Sequence, residues 1–385
     1  MLNTNIKKNI LIRYLKSNIK YFRQVRKSQK EIKYLFEGKV EKLDGSIMKD
    51  EEKKIWKKSF LKYADYFRES AAIEAKAFCQ KNVYIVKHSK DNIPDDAPIL
   101  ICNVKNDRNR IEMLLNYHKK IGIKYFAILD NDSDDGTYEW LCEQDIDLFS
   151  VKEKYTSTIR AGWINKIIQF YGMNRWYIIV DSDELLTYCG HENHDINWLT
   201  NKMTKNKLDC GMAVMVDMYN EESDLNATVI PSADDIYREY NRFDSDSYRV
   251  SYNAFFAPVI EGGPRNRFFG DDGNPELLTK YPLVYMRQGQ IYGYHHIYPF
   301  EMSFESPCFL VLKHYKFVNG DMDKIKRIVR EGNYADGSTL YKKYYEKLKE
   351  TGKLSFVYEG TRVMENSEDI AFLNIYCDIK DLENE

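Results

Sequence analysis

Hydrophobic and polar positions change rhythm twice along the chain. Up to about residue 95 the apolar residues recur at helical spacing. Trp56, Phe60, Tyr63 and Phe67 fall on one side, and so do Leu11, Leu15, Ile19 and Phe22 near the start. A Pro-bearing loop at 92–98 then marks a boundary. Beyond it short apolar runs at 99–104, 125–129, 146–151 and 176–180 read as strands. Amphipathic stretches at 108–121, 136–142 and 161–171 read as helices between them. Strands alternating with helices across short connections predict a parallel sheet with crossover helices. The run at 176–180 carries five apolar residues without a break, as a strand covered on both faces does. After residue 186 the pattern loosens. A helix is expected at 196–203 and strands at 210–219, 281–286, 290–297 and 309–317. Residues 220–253 show no clear period and read as a loop or lid. Helices follow at 321–331 and 339–350. The expected organisation is a helical N-terminal extension over 1–95, an α/β domain over 96–320 and a helical C-terminal extension over 321–385.

Charge narrows the partners. Lys and Arg number 57 against 59 Asp and Glu, a net charge of −2, so the chain as a whole is no polyanion binder and no nucleic-acid partner is expected. The first 34 residues break that balance, with ten basic residues and Glu31 as their one acid. A basic amphipathic helix suits an anionic membrane surface; a charged helix packed on the main domain is the other reading. Seven scattered Cys without a C-x-x-C fit a reducing compartment. The start shows no apolar core ahead of a small-residue cleavage site, and no run approaches the roughly 20 apolar residues of a spanning helix. The expected location is cytoplasmic, with the basic helix able to place the protein peripherally at the inner face of the cell membrane.

The candidate chemistry sits where predicted strands end. Asp181, Ser182, Asp183 and Glu184 follow the 176–180 run directly. In open α/β sheets ligands bind at that carboxyl edge. On a continuing strand Asp181 and Asp183 would share a face, and two carboxylates there repel unless a cation lies between them. A solvated acidic turn is the plain alternative. The loop after the 125–129 strand, Asp130 to Thr137, is rich in capping and turn residues that can hold a ribose or base, or simply cap a helix. It is no EF-hand, because Leu141 stands where that loop needs Glu. Cys189, His191 and His194 have zinc-like spacing but no fourth ligand.

The order of strand, DN-x-S-x-DGT, helix, strand, helix, then strand with D-x-D resembles a GT-A glycosyltransferase of the family 2-like type, over roughly residues 98–320. NVKND at 103–107 and VDSDEL at 180–185 resemble that family's first-strand end and metal motif. Asn131 departs from the usual second Asp of the nucleotide loop, and Asp107 from a more usual Glu. The resemblance implies an α/β GT-A (Rossmann-like) mixed sheet with crossover helices, flanked by the helical extensions. It places Asn106, Asp107, Asp130 and Asp132 against the nucleoside. Arg160, which opens a helix, could reach the diphosphate. Arg265 and Arg267, in a Gly-rich basic segment, and His295 and His296 are further nucleotide-sugar candidates. Asp181 and Asp183 would face a divalent metal, Mn²⁺ or Mg²⁺, with His314 as a third ligand. Glu261, and after it Asp217, are candidates for the base that deprotonates the acceptor. The implied reaction is inverting transfer of a sugar from a nucleotide-diphosphate sugar to a hydroxyl on a carbohydrate or glycolipid. By association it belongs to bacterial surface-polysaccharide or glycolipid synthesis. A non-catalytic nucleotide-sugar binding protein and a nucleotidyltransferase are the rival readings.

Overall fold

The computed structural model describes residues 4–88, 92–252, 258–270, 276–293, 295–299 and 306–378, with side chains from residue 19 onward except 335–336. The chain opens with helices α1 (Thr4–Leu35), α2 (Asp50–Phe67) and α3 (Glu69–Cys79). Next come β1 (Val83–Lys87), β2 (Ile99–Val104), α4 (Arg108–Lys120), β3 (Tyr125–Asp130), α5 (Thr137–Glu143), β4 (Asp147–Val151) and α6 (Ser157–Tyr171). The middle runs β5 (Arg175–Asp181), β6 (Glu184–Thr187), α7 (Ile196–Lys205), β7 (Cys210–Asp217), β8 (Ser223–Asp224), α8 (Ala233–Glu239) and β9 (Arg242–Asp244). After them lie β10 (Tyr248–Tyr252), β11 (Pro258–Gly262), α9 (Gly263–Phe269), β12 (Thr279–Met286), β13 (Ile291–Tyr292), β14 (Ile297–Tyr298) and β15 (Cys308–His314). The chain closes with α10 (Met322–Glu331), α11 (Ala335–Leu348), β16 (Lys353–Leu354) and β17 (Thr361–Val363).

Two compact units result. The first comprises Met1–Asn82, Thr158–Met173 and Gln288–Tyr294. Its core is aromatic, with Trp56 against Phe78 at 4.6 Å between ring centroids and Phe60 against Phe78 at 5.5 Å. The helical stretch expected at 53–77 is two helices, because Arg68 takes a left-handed φ of 46° between α2 and α3. Gly162 of α6 lies against the α3 backbone, where an added Cβ would stand 2.4 Å from the Glu74 carbonyl, so a larger residue would force these helices apart. On α1, Val25, Ser28 and Ile32 are buried while Ile19 and Phe22 are exposed. Leu11 and Leu15 lie outside the described side chains. Among the described residues no helix is long and apolar enough to cross a membrane.

The second unit is built on a nine-stranded sheet in the order β1-β4-β3-β2-β5-β12-β7-β15-β6. β2, β3, β4 and β5 pair in parallel, as their apolar runs predict. β12 makes the sheet mixed, as the resemblance implies, running antiparallel to both β5 and β7. A strand buried on both faces is apolar throughout whichever way it runs, so the pattern could not reveal the reversal. Ile178 and Val180 of β5 and Leu100 and Ile101 of β2 are fully buried or nearly so. Each such aliphatic side chain contributes roughly 1.5–3 kcal/mol. From β2 the chain crosses to β3 on one side, while β5 lies on the other. That reversal opens a crevice at the carboxyl ends of β2 and β5.

Three further differences matter. The stretch expected as a loop or lid at 220–253 holds β8, α8, β9 and β10, elements of two to seven residues and too short to show a period. The strand expected at 290–297 is two two-residue strands. The tail after 320 is more than helices: β16 pairs with β8 and β17 with β9. Ile325 and Ile328 of α10 and Tyr344 of α11 join a buried cluster with Phe269, Phe317 and Phe356, which fastens the tail to this unit. The last seven residues, 379–385, lie outside the described ones.

Candidate functional site

Strand register brings the site together. β15 runs parallel to β7 with His314 beside Asp217, and antiparallel to β6 with His314 opposite Glu184. Three residues far apart in sequence therefore meet across three neighbouring strands. β5 does not continue through the acidic run. It ends at Asp181, the chain turns at Ser182 and Asp183, and β6 begins at Glu184. This turn separates the two aspartates expected to share a face. Asp181 swings to Lys280 of β12, 2.7 Å away. Asp183 faces His314, with 3.5 Å between Oδ2 and Nε2.

Asp183, Glu184 and His314 are the residues that converge, with one candidate ligand atom from each within 4.8 Å of the others. Glu184 is already engaged: Lys280 donates to Oε1 at 2.5 Å and the Asp181 amide donates to Oε2 at 3.0 Å. Asp183 and His314 are freer. The other ring nitrogen of His314, Nδ1, lies 2.6 Å from Asp217 Oδ1. A carboxylate behind the imidazole fixes its orientation and leaves Nε2 to point at Asp183, the arrangement that supports a metal-ligating histidine. Asp217 is in turn held by Arg265, whose Nε donates to Oδ2 at 2.7 Å. Arg265 also pairs with Glu276, which accepts from Tyr344. Its Nη2 is buried without a partner among the described residues.

Charge tunes these groups strongly. Burial pushes the Asp183 carboxyl up, but His314, Lys316 and Lys324 outweigh it and hold the group well below the usual carboxylate range. Asp217 follows the same pattern, with burial overcome by Arg265 and His314. His314 is the mirror case: burial pushes it down, and Asp183 and Asp217 more than restore it, leaving it raised. A proton on His314 is what balances the two carboxylates, and a divalent cation bound between Asp183 and Nε2 would take that proton's place. The donor set fits one, pairing a hard carboxylate with an imidazole that suits Mn²⁺ better than Mg²⁺.

The ends of β2 and β3 form the adjoining wall. Asn106, at φ 51°, closes the two loops on each other: its side chain donates to Asp134 at 2.5 Å and accepts from the Asp134 amide at 2.8 Å. Asp107 stands just ahead of α4. It accepts from Ser182 at 2.6 Å and pairs with Arg110 at 3.2 Å and Lys324 at 3.1 Å. The Ser182 bond ties the β2 loop to the turn that carries Asp183. Asp130 is buried at the end of β3. One carboxylate oxygen accepts from the Ser133 amide, while Oδ1 has no partner among the described residues, and burial raises its pKa. Asn131 also keeps a buried carbonyl oxygen unpartnered there. Unpaired buried acceptors cost about 1–3 kcal/mol each, so a donor arriving with a ligand would relieve them. Asp132 is exposed, in a left-handed conformation.

The other sequence candidates make contacts of their own. Arg267 pairs with Asp244 at 3.0 Å and covers the Tyr358 ring at 3.8 Å, a structural tie rather than part of the acidic group. Glu261 pairs with Arg249 at 3.1 Å across the β10–β11 ladder. The turn that follows needs glycine: Gly262 has φ 111°, and an added Cβ would stand 2.1 Å from the Ser247 carbonyl. His295 and His296 are half-buried ahead of β14, and burial pushes His296 down to about 4. Arg160 is buried on α6, which is counted largely with the first unit. The zinc-like trio does not converge: Cys189 bonds Glu368, His191 bonds Thr187 and His194 stacks on Trp198. Lys280 and Lys324 escaped the sequence reading, because each reaches the site from a distant element with no motif of its own; Glu184 is read there as part of the acidic cluster without a role, and Arg110 is not singled out.

A mixed α/β sheet with crossover helices and its acidic turn at the switch between β2 and β5 is consistent with a Rossmann-like, GT-A arrangement. Solved structures with some likeness include a mannosyltransferase from Pyrobaculum calidifontis in complex with GDP-Man and Mn²⁺, at 16% identity and TM-score 0.24, covering 42% of this chain and 47% of that one. The chain thus spans about half the length of that structure. A CMP:2-keto-3-deoxy-manno-octonic acid synthetase complexed with CTP aligns at 9% identity and TM-score 0.25, covering 50% of this chain and 75% of that one. A 4-diphosphocytidyl-2C-methyl-D-erythritol synthase aligns at 6% identity and TM-score 0.26, covering 51% and 77%. No family model and no curated protein matches the chain.

Proposed function

We propose that the chain is a metal-dependent glycosyltransferase of the GT-A type, moving a sugar from a nucleotide-diphosphate sugar to a hydroxyl acceptor. The observation that carries this reading is the line Asp217–His314–Asp183: a buried imidazole held from behind by one carboxylate at 2.6 Å and facing another at 3.5 Å. A purely structural histidine needs one such partner. Asp183 and His314 are the proposed metal ligands. A bound Mn²⁺ or Mg²⁺ would supply Lewis-acid neutralisation of the diphosphate leaving group.

The remaining roles belong to the chain's own residues. Lys316 and Lys324 add positive charge near Asp183, where a diphosphate would gather negative charge. Asp130 and Asn131 offer their unpartnered oxygens to the nucleoside. Asp107 positions the metal turn through Ser182. Asp181 positions it through Lys280, in place of the ligand role its motif suggests. Asp217 is buried and held by both Arg265 and His314, so Glu261, partly exposed and paired only with Arg249 among the described residues, is the candidate acceptor of the hydroxyl proton. The acceptor class is carbohydrate or glycolipid.

Incubation with Mn²⁺ and a panel of nucleotide-diphosphate sugars should release nucleoside diphosphate slowly even without an acceptor. Asp183→Ala should abolish that release while the circular-dichroism spectrum stays native. Undiminished turnover in Asp183→Ala, or binding of donors with no turnover toward any acceptor, would overturn the enzymatic reading.

A further inference from the structure

On β15 the residue before His314 is Lys313, and successive strand residues point to opposite faces of a sheet. Lys313 therefore leaves the acidic site. It is 5% exposed, and no hydrogen bond or ion pair reaches it among the described residues. Its ammonium instead lies 4.5 Å from the Tyr117 ring centroid and 4.7 Å from that of Tyr237. It lines a cavity of about 240 Å³ together with Tyr237, Asn241 and Asn366 and the charged or titratable groups His191, Glu192, Arg238 and Glu365.

From this geometry we infer a second small-molecule site, in which Lys313 receives the oxyanion of a carboxylate- or phosphate-bearing ligand. A buried ammonium flanked by two aromatic faces keeps its donors unfilled, since no hydrogen bond or ion pair reaches it among the described residues. Glu192 acts on it only through its charge and makes no hydrogen bond to it among the described residues, being held by Ser367, whose amide donates at 2.7 Å and whose hydroxyl bonds the second oxygen. Asn241 and Asn366 provide neutral donors and acceptors around the same space, as small-molecule pockets do. His191 is oriented by Thr187 at 3.0 Å and is itself depressed by burial, so it enters as a neutral hydrogen-bonding ring.

The test uses the full chain and two probes, inorganic phosphate and glucuronate, with glucose as the uncharged control. Acetylation of Lys313 by acetic anhydride at neutral pH is followed by peptide mapping. At a probe concentration about ten times its dissociation constant, phosphate or glucuronate should slow labelling of Lys313 about tenfold, while glucose leaves it unchanged. The same anion should raise the melting temperature of the natural chain and fail to raise that of Lys313→Met. Should Lys313→Met not fold, labelling of the natural chain decides alone. A response to phosphate assigns a phosphate ligand, and a response to glucuronate alone a carboxylated one. Unchanged labelling with both anions, or equal melting shifts in Lys313→Met, would overturn the proposal.

Discussion

Lys313 and His314 are chain neighbours with opposite fates. Both are cationic side chains on one buried strand, and burial pushes both toward the neutral form. His314 meets two carboxylates and ends above its ordinary pKa; Lys313 meets two tyrosine rings and ends at about 7. Burial alone thus does not decide the charge of a group. The groups packed against each face of the strand decide it, and the alternation of a β-strand can set both outcomes side by side.

The sharpest way to break the comparison is to remove the imidazole. His314→Ala should lose Mn²⁺ binding and metal-dependent turnover together, because Asp183 alone is a single-residue ligand. Next in size is Asp217→Asn, which removes the charge behind the imidazole while keeping its shape. Support of this kind is worth about 10–100-fold in metal affinity, so Mn²⁺ titration should show a weakening of that order with the fold retained.

The Lys313 side predicts a pH effect of definite sign. Its folded-state pKa is depressed to about 7 from 10.5, so between those values the unfolded chain holds the extra proton. Stability therefore rises with pH across that window, by on the order of a few kcal/mol from this residue. Denaturant unfolding at pH 7 and pH 9 should show this gain in the natural chain and a smaller gain in Lys313→Met. Equal gains would contradict the assignment. The smallest effect is expected from Tyr237→Leu, which removes one ring beside the ammonium. It should cost about 0.5–2 kcal/mol below pH 7, where Lys313 is charged, and less above it.

Much of this was legible in the chain, for physical reasons. Apolar runs bounded by polar turns located β2, β3, β4 and β5 to within a residue or two, and the acidic cluster at the end of β5 pointed to the crevice. Asp183 and His314 were both named as metal-ligand candidates from motif resemblance. Their meeting was not legible, since it depends on the register of β15 against β6 and β7, which local pattern does not encode. Asp181 was misleading for a related reason. A two-residue spacing puts side chains on one face only while a strand continues, and the turn at Ser182 ends that relation. Lys280 completes the explanation: the cation that takes up Asp181 arrives from β12, the antiparallel strand that apolar periodicity could not orient.

The most direct test is a titration of the full chain with Mn²⁺, read by calorimetry, alongside Asp183→Ala and His314→Ala. The account predicts a single Mn²⁺ site in the natural chain, tightened by a nucleoside diphosphate and lost in both variants. Binding that survives in both, or no Mn²⁺ binding to the natural chain at all, would contradict it.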